Sequence, residues 1–222
     1  MKITVYQAKG AAGKTPIATN IVLDREYAIG TNEAFHVYDT FIPDEQLLAL
    51  DLSESFPDIP DDIDIVFDLA GSISTHSHSI TSAIRQSDLV IVPIYNEVKS
   101  LHGGVGTLRE IAKLGYSGSI LVVATKLKKG KKEQFDKNWA QSNDCRNVTE
   151  AVKEAGFDVE VLPLKLSAVF DVIFEKEKSI QQLRQADPLA AYTYRDIAAQ
   201  FDDIYSYIDE VAHAKQEQSL SA

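Results

Sequence analysis

Cysteine is nearly absent from this chain. Cys145 is the single one among 222 residues, so no internal disulfide framework is available and a reducing compartment is expected. Long hydrophobic runs are missing too, since none approaches the roughly 18 residues that span a bilayer. The start, "MKITVYQAKG", has neither the apolar stretch nor the small-residue cleavage site of a secretory signal. A cytoplasmic protein is therefore expected. Positive charge is scarce: 22 Lys and Arg stand against 33 Asp and Glu, a formal net charge of −11. That balance does not mark an obvious nucleic-acid binder, because phosphate contacts need local cations. The charge is unevenly spread, however. "DIPDDIDIVFD" (58–68) is strongly acidic and "TKLKKGKKEQFDK" (125–137) strongly basic, so an anionic partner is not excluded. No Ser-His-Asp or Cys-His set suggests nucleophilic catalysis. His76, His78 and His102 lack the cysteines and clustered acids that a zinc site would add.

What is present is ordinary globular material, 45% apolar and 25% charged, without repeats. The length suits one domain, taken as residues 1–212 with 213–222 as a polar tail. "ITVYQ" (3–7), "EYAIGT" (26–31), "DIDIVFDLAG" (62–71), "DLVIVPIY" (88–95), "SILVVATKL" (119–127) and "DVEVLPLKLS" (158–167) read as strands. Between them, "TPIATNIVLDRE" (15–26), "SITSAIRQS" (79–87), "GGVGTLREIAKLG" (103–115) and "TEAVKEAG" (149–156) read as helices. A long amphipathic helix is expected over 187–215, with Phe201, Ile204, Tyr205 and Ile208 on one face. Strands alternating with helices imply an α/β fold with a doubly wound, mostly parallel sheet flanked by helices. In such sheets ligands bind beyond the carboxyl ends of the strands.

The first strand leads into Ala8-Lys9-Gly10-Ala11-Ala12-Gly13-Lys14-Thr15. Set against G-x-x-x-x-G-K-[ST], Ala8 replaces the first glycine, while Gly13, Lys14 and Thr15 fit in the required strand-loop-helix context. Backbone N–H groups of residues 10–13 would curl around phosphates at a helix N-terminus. Lys14 would reach the β- and γ-phosphates, and the Thr15 hydroxyl would bind Mg²⁺. Pro16 is tolerable because a first-turn N–H has no helical partner. The absence of N-K-x-D favours ATP over GTP.

Lys9 precedes Lys14 by five residues, giving K-G-x-x-G-K-T. This resembles the deviant Walker A motif of the ParA/MinD family of P-loop ATPases. "IDIVFDLAGSISTHSHSITSAIRQSDLVIVPI" (63–94) resembles the Walker B strand, switch region and following strand of ParA-type partition proteins, with the small ParF-like branch nearest. The likeness runs roughly from residue 2 to 210, with gaps at 24–60. It implies that Lys9 reaches a partner's nucleotide across an ATP-dependent homodimer, which acts as a nucleotide switch or polymerises. It implies that Asp68 is the Walker B acid, holding Mg²⁺ partly through water, and that Gly71 lets the switch loop move. Adenine would lie near Thr125 and Lys126 and the loop from Pro163 to Ser167. Lys128, Lys129, Lys131 and Lys132, with Arg184 and Arg195, would contact nonspecific DNA. A small centromere-binding adaptor would stimulate weak ATP hydrolysis, and the ATP-bound form would associate with the nucleoid. No membrane partner is implied, because the chain's end lacks an amphipathic anchor.

The resemblance has departures. The family's D-x-D-P segment after the second strand, one of whose aspartates orients water, is missing. If the second strand is 26–31, its end presents Asn32 and Glu33; if it is "AFHVYD" (34–39), its end presents Asp39; the short connection from the preceding helix favours the first. Ser or Thr usually stands where Pro16 does, and Gly where Ala11 does. Three rivals stay open: a MinD-like or conjugation-related positioning ATPase, a nucleotide-binding scaffold with little turnover, and a metabolic P-loop enzyme.

Overall fold

The nearly continuous apolar runs form strands covered on both faces, as a parallel sheet requires. The computed structural model describes residues 1–71, 78–135 and 137–221, with side chains through 217. The strands are β1 (Lys2–Val5), β2 (Ala28–Thr31), β3 (Leu47–Ala49), β4 (Ile65–Asp68), β5 (Leu89–Ile94), β6 (Ser119–Leu127) and β7 (Glu160–Lys165). All pair in parallel, in the order β3-β2-β4-β1-β5-β6-β7. The helices are α1 (Lys14–Arg25), α2 (His78–Gln86), α3 (Val98–Lys113), α4 (Asn143–Glu154), α5 (Val169–Lys176), α6 (Ile180–Ala186), α7 (Pro188–Thr193) and α8 (Arg195–Ser221).

Two apolar layers sandwich the sheet. One joins Ile3, Val5 and Leu121 to Ile17 and Ile21 of α1 and to Ile197, Phe201, Ile204 and Ile208 of α8. The other joins Phe67, Val90 and Val122 to Ile84, Leu108, Ile111 and Val148. The expected face of Phe201, Ile204, Tyr205 and Ile208 is thus the one α8 buries. α8 is also tied to α1 by polar contacts: Asn20 Nδ2 donates to the Tyr205 hydroxyl at 2.9 Å, and Arg25 forms a bidentate pair with Asp209 at 2.9 Å.

Pro93 lies inside the central strand β5, where proline normally removes a ladder hydrogen bond. Ile91 faces β1, since its carbonyl accepts from Tyr6 N at 3.0 Å. Residues two apart face the same neighbour, so Pro93 also faces the β1 side, beyond that strand's end at Val5. The missing N–H falls where the chain has already left the sheet.

Several boundaries differ from the sequence reading. The long helix expected over 187–215 is two helices, broken at Tyr194, whose ψ of 6° departs from the helical range. α8 continues through Ser221. Lys215, placed in the expected tail, pairs with Asp88 at 2.8 Å on the body of the domain. α3 begins at Val98 and α4 at Asn143, five and six residues before the expected starts at 103 and 149. β3, α5 and α6 were not read as elements. β3 has three residues and gives little periodicity. α6 carries a capping box, Ser179 with Gln182, that was legible as S-I-Q-Q. Residues 34–39 form no strand; a 3-10 turn covers Tyr38–Thr40. His76 and the remainder of 72–77 lie outside the described residues.

Candidate nucleotide site

β1 sits between β4 and β5, so the loop after β1 opens at the centre of the sheet's carboxyl edge. That loop is held from α3 and from β6. Ala8 N donates to Thr107 Oγ1 of α3 at 3.0 Å, and Gln7 Nε2 donates to the Ser100 carbonyl at 3.0 Å. Thr125 Oγ1, from β6, donates to the Ala12 carbonyl at 2.8 Å. Two residues adopt left-handed backbone, Ala11 at φ 60° and Gly13 at φ 94°, the latter as N-cap of α1. Alternation of left- and right-handed residues is how a loop turns successive N–H groups towards an anion. Gly13 meets the conformational demand freely; Ala11 does so against its Cβ.

Close packing explains two other glycines. A Cβ on Gly71 would lie 2.9 Å from Gly10 N and 3.0 Å from the Ala8 carbonyl, so the segment after β4 lies directly on the phosphate loop. A Cβ on Gly104 would lie 2.3 Å from Ile94 Cδ1, which lets α3 approach the loop closely.

Lys14 and Thr15 begin α1, with Lys14 only 5% exposed. Pro16 is the third helical residue, within the turn that has no N–H partners to lose. Asp68 ends β4, registered with Val5 and with Thr31. Burial pushes the Asp68 carboxyl up to about 6; Tyr38 draws it back, Glu33 raises it, and Thr15 and Lys14 lower it. Its Oδ2 accepts from the Tyr38 hydroxyl at 2.8 Å, while its Oδ1 is buried and accepts no hydrogen bond among the described residues. Burial beside that carboxylate holds the Tyr38 phenol well above its usual pKa, so it is a donor throughout the physiological range.

The sequence candidates for orienting water fare differently. Asn32 directly follows the last residue of β2, as expected, but both ends of its amide are engaged. Nδ2 donates to Ser79 Oγ at 2.7 Å and Oδ1 accepts from Ala70 N at 2.7 Å. It ties together the two flanks of the segment between β4 and α2. Asp39 is not at a strand end; its side chain is 72% exposed and lies 3.8 Å from His36 Nδ1. Half-buried Glu33 is the acid near enough to act on Asp68.

Lys9 Nζ donates to the Tyr95 hydroxyl at 3.1 Å and lies 3.7 Å from Glu97. Lys126, left-handed at φ 54°, places its ammonium 4.8 Å from the same ring. Thr125 is engaged with the loop rather than open to a base. Pro163 lies within β7, in register with Ala124, rather than in a loop. It lines an open cleft of about 450 Å³ with Trp139, Arg195 and Gln200. Lys128, Lys129, Lys131 and Lys132 are all exposed, just past the carboxyl end of β6 on the same sheet edge as the phosphate loop. Arg195 stacks on Tyr192 at 4.1 Å and shares Asp196 with Lys137. Arg184 is half-buried against Gln181. Tyr38, Tyr95 and Thr107 carry no motif signal. Tyr95 follows an apolar strand directly, which is the one hint available for it.

No protein-family model matches the chain, and no curated protein does. Solved structures do. An ATP complex of Cyanothece McdA aligns over 94% of this chain and 96% of its own, with TM-score 0.64 and 16% identity. MinD of Pyrococcus horikoshii with Mg-ADP aligns over 91% and 96%, with TM-score 0.55 and 12% identity. A plasmid partition protein of Borrelia burgdorferi bound to AMPPNP aligns over 90% and 98%, with TM-score 0.50 and 12% identity. The chain shares its fold with these McdA, MinD and partition-protein structures.

Proposed function

We propose that this chain is a ParA/MinD-type ATPase that uses ATP binding to switch between a monomer and a homodimer, and that it serves partition of a plasmid or similar replicon. The observation that carries this reading is a convergence. A loop with left-handed Ala11 and Gly13, the buried Lys14, and an Asp68 carboxylate with one oxygen that no hydrogen bond of normal length reaches among the described residues all meet at the ends of β1 and β4. The donor set suits Mg²⁺, a hard cation that takes few carboxylates and keeps waters. Thr15 and Asp68 would hold it, Asp68 partly through water, and it would supply neutralisation of phosphate charge.

The chain's own groups account for the rest of the site. Backbone N–H groups of 10–15 bind phosphate oxygens, and Lys14 places its charge on the outer phosphates. Glu33, the acid whose charge acts on Asp68, would orient an attacking water. Lys9 reaches the nucleotide of the partner copy. The exposed lysines 128, 129, 131 and 132 contact backbone phosphates of DNA without reading sequence. A small centromere-binding adaptor stimulates hydrolysis. Support for DNA rather than a membrane as the template comes from α8, whose apolar stripe is buried against the sheet. Among the described residues no helix is long and apolar enough to cross a membrane.

The test is light scattering with a non-hydrolysable ATP analogue. Wild type doubles in mass; Lys9→Ala retains analogue binding and stays monomeric. A Lys9→Ala dimer equal to wild type would sink the switch. One observation favours a second reading, a scaffold with little turnover: Asn32 is fully engaged and Asp39 is exposed. Turnover with DNA and the adaptor no higher than a Lys14→Ala control would select it.

A further inference from the structure

We propose that Tyr38 is a positioning residue for Asp68, holding one carboxylate oxygen so that the other stays in place for a magnesium-bound water. The inference rests on the reading that this site takes Mg-nucleotide.

Tyr38 is fully buried on the 3-10 turn that follows β2. Its ring is wedged between Phe41, edge-on at 5.9 Å, and His36, stacked at 6.0 Å. The hydroxyl is its one polar end, and it stands in a relay. Thr19 Oγ1 donates to the Tyr38 hydroxyl at 3.4 Å, and the hydroxyl donates to Asp68 Oδ2 at 2.8 Å. Thr19 belongs to α1, the helix that opens with Lys14 and Thr15. The relay therefore links the phosphate-loop helix, the segment after β2 and the end of β4.

An aspartate's terminal torsion is soft and roughly two-fold, so an unrestrained Asp68 would present either oxygen. A phenol locked by packing removes that freedom. Oδ1, which no hydrogen bond of normal length reaches among the described residues, is left towards Thr15, whose hydroxyl draws the carboxyl pKa down as a donor, and towards the charge of Lys14. A buried oxygen without a partner is costly in a resting protein and calls for an explanation. A ligand that arrives with the nucleotide supplies one. A tyrosine that merely fills the core would need only its ring, and phenylalanine would replace it without a metal-specific effect.

Binding of a fluorescent ATP analogue, followed against Mg²⁺ and again in EDTA, tests this. Loss of one charge-assisted hydrogen bond predicts that Tyr38→Phe raises the Mg²⁺ concentration at half-saturation about tenfold, with affinity in EDTA unchanged. Thr19→Val moves the same quantity in the same direction by less. Equal half-saturation in wild type and Tyr38→Phe overturns the proposal, as do parallel losses with and without Mg²⁺. Should Tyr38→Phe not fold, Thr19→Val decides, and a wild-type value there overturns it. A wild type indifferent to Mg²⁺ overturns instead the site reading beneath it.

Discussion

The Lys9 ammonium rests on Tyr95 of its own chain, 3.1 Å from the hydroxyl, with Glu97 at 3.7 Å. The hydrogen bond to Tyr95, with Glu97 adding to it, holds the ammonium pKa above its usual value. A lysine that serves a partner's nucleotide must first leave this berth. Tyr95→Phe removes the hydroxyl and keeps the ring, so the ATP-dependent dimer is expected at severalfold lower protein concentration. Sedimentation with a non-hydrolysable analogue measures the midpoint, and a midpoint equal to wild type would show that the berth does not compete with dimerisation.

Gly71 offers a sharper test of the loop. A methyl group there meets Gly10 N at 2.9 Å, and backbone has no rotamer with which to yield. Gly71→Ala therefore displaces the N–H groups at 9–10. Each charged hydrogen bond lost costs roughly 1.5–3 kcal/mol, about tenfold or more in affinity. Calorimetry should show that loss for ATP while the urea midpoint without nucleotide moves little. Retained affinity would mean that the segment after β4 shifts instead of the loop.

Asp68 makes the nucleotide-free protein less stable as pH rises. Its folded pKa of about 6 stands above the usual carboxylate value of 3.8. Between those values the folded state binds more protons than the unfolded one, so stability falls from about pH 4 to pH 6 and stays low above. Asp68→Asn is expected to stabilise the nucleotide-free protein by on the order of 2–3 kcal/mol at pH 7 and by little at pH 4. Urea unfolding at the two pH values checks this. The same variant should lose Mg²⁺-dependent tightening of ATP binding.

The lysine loop predicts a salt signature. Each phosphate neutralised on duplex DNA adds about −0.9 to the slope of log affinity against log salt. Changing Lys128, Lys129, Lys131 and Lys132 together to glutamine should flatten that slope by roughly 3–4 and weaken binding equally across unrelated sequences. Fluorescence anisotropy on two such duplexes at several salt concentrations gives both numbers. An unchanged slope would assign DNA contact to another surface.

The strands other than β3, and the strand-loop-helix context of residues 8–15, are legible because their signals are local. "DLVIVPIY" and "SILVVATKL" are apolar almost throughout, and G-K-T followed by a proline-tolerant turn has one structural context. Asp68 was legible for the same reason, at the end of an apolar strand. The surroundings of the site were not. Tyr38 reaches Asp68 across thirty positions of sequence, and Thr125 reaches Ala12 across 113. Such contacts are set by how strands lie side by side, which no local pattern records. Asn32 shows the limit most plainly. Its place at the strand end was read correctly, yet whether its amide faces water or Ala70 and Ser79 depends on α2. Residues 34–39 are the alternative that the short connection after α1 argues against, and there the buried phenol at 38 and the approach of His36 to Asp39 fit a tight turn.

The clasp between α1 and α8 also bears on when the protein becomes competent during synthesis. Ile17 and Ile21, on the helix that opens with Lys14, share one buried cluster with Phe201, Ile204 and Ile208, and Asn20 closes on Tyr205. The ribosome makes these partners some 185 residues apart. Until α8 emerges, α1 rests on β4 and β1 with part of its apolar cluster uncovered. A nascent chain therefore translates the loop proposed to bind ATP first and completes the packing behind it last.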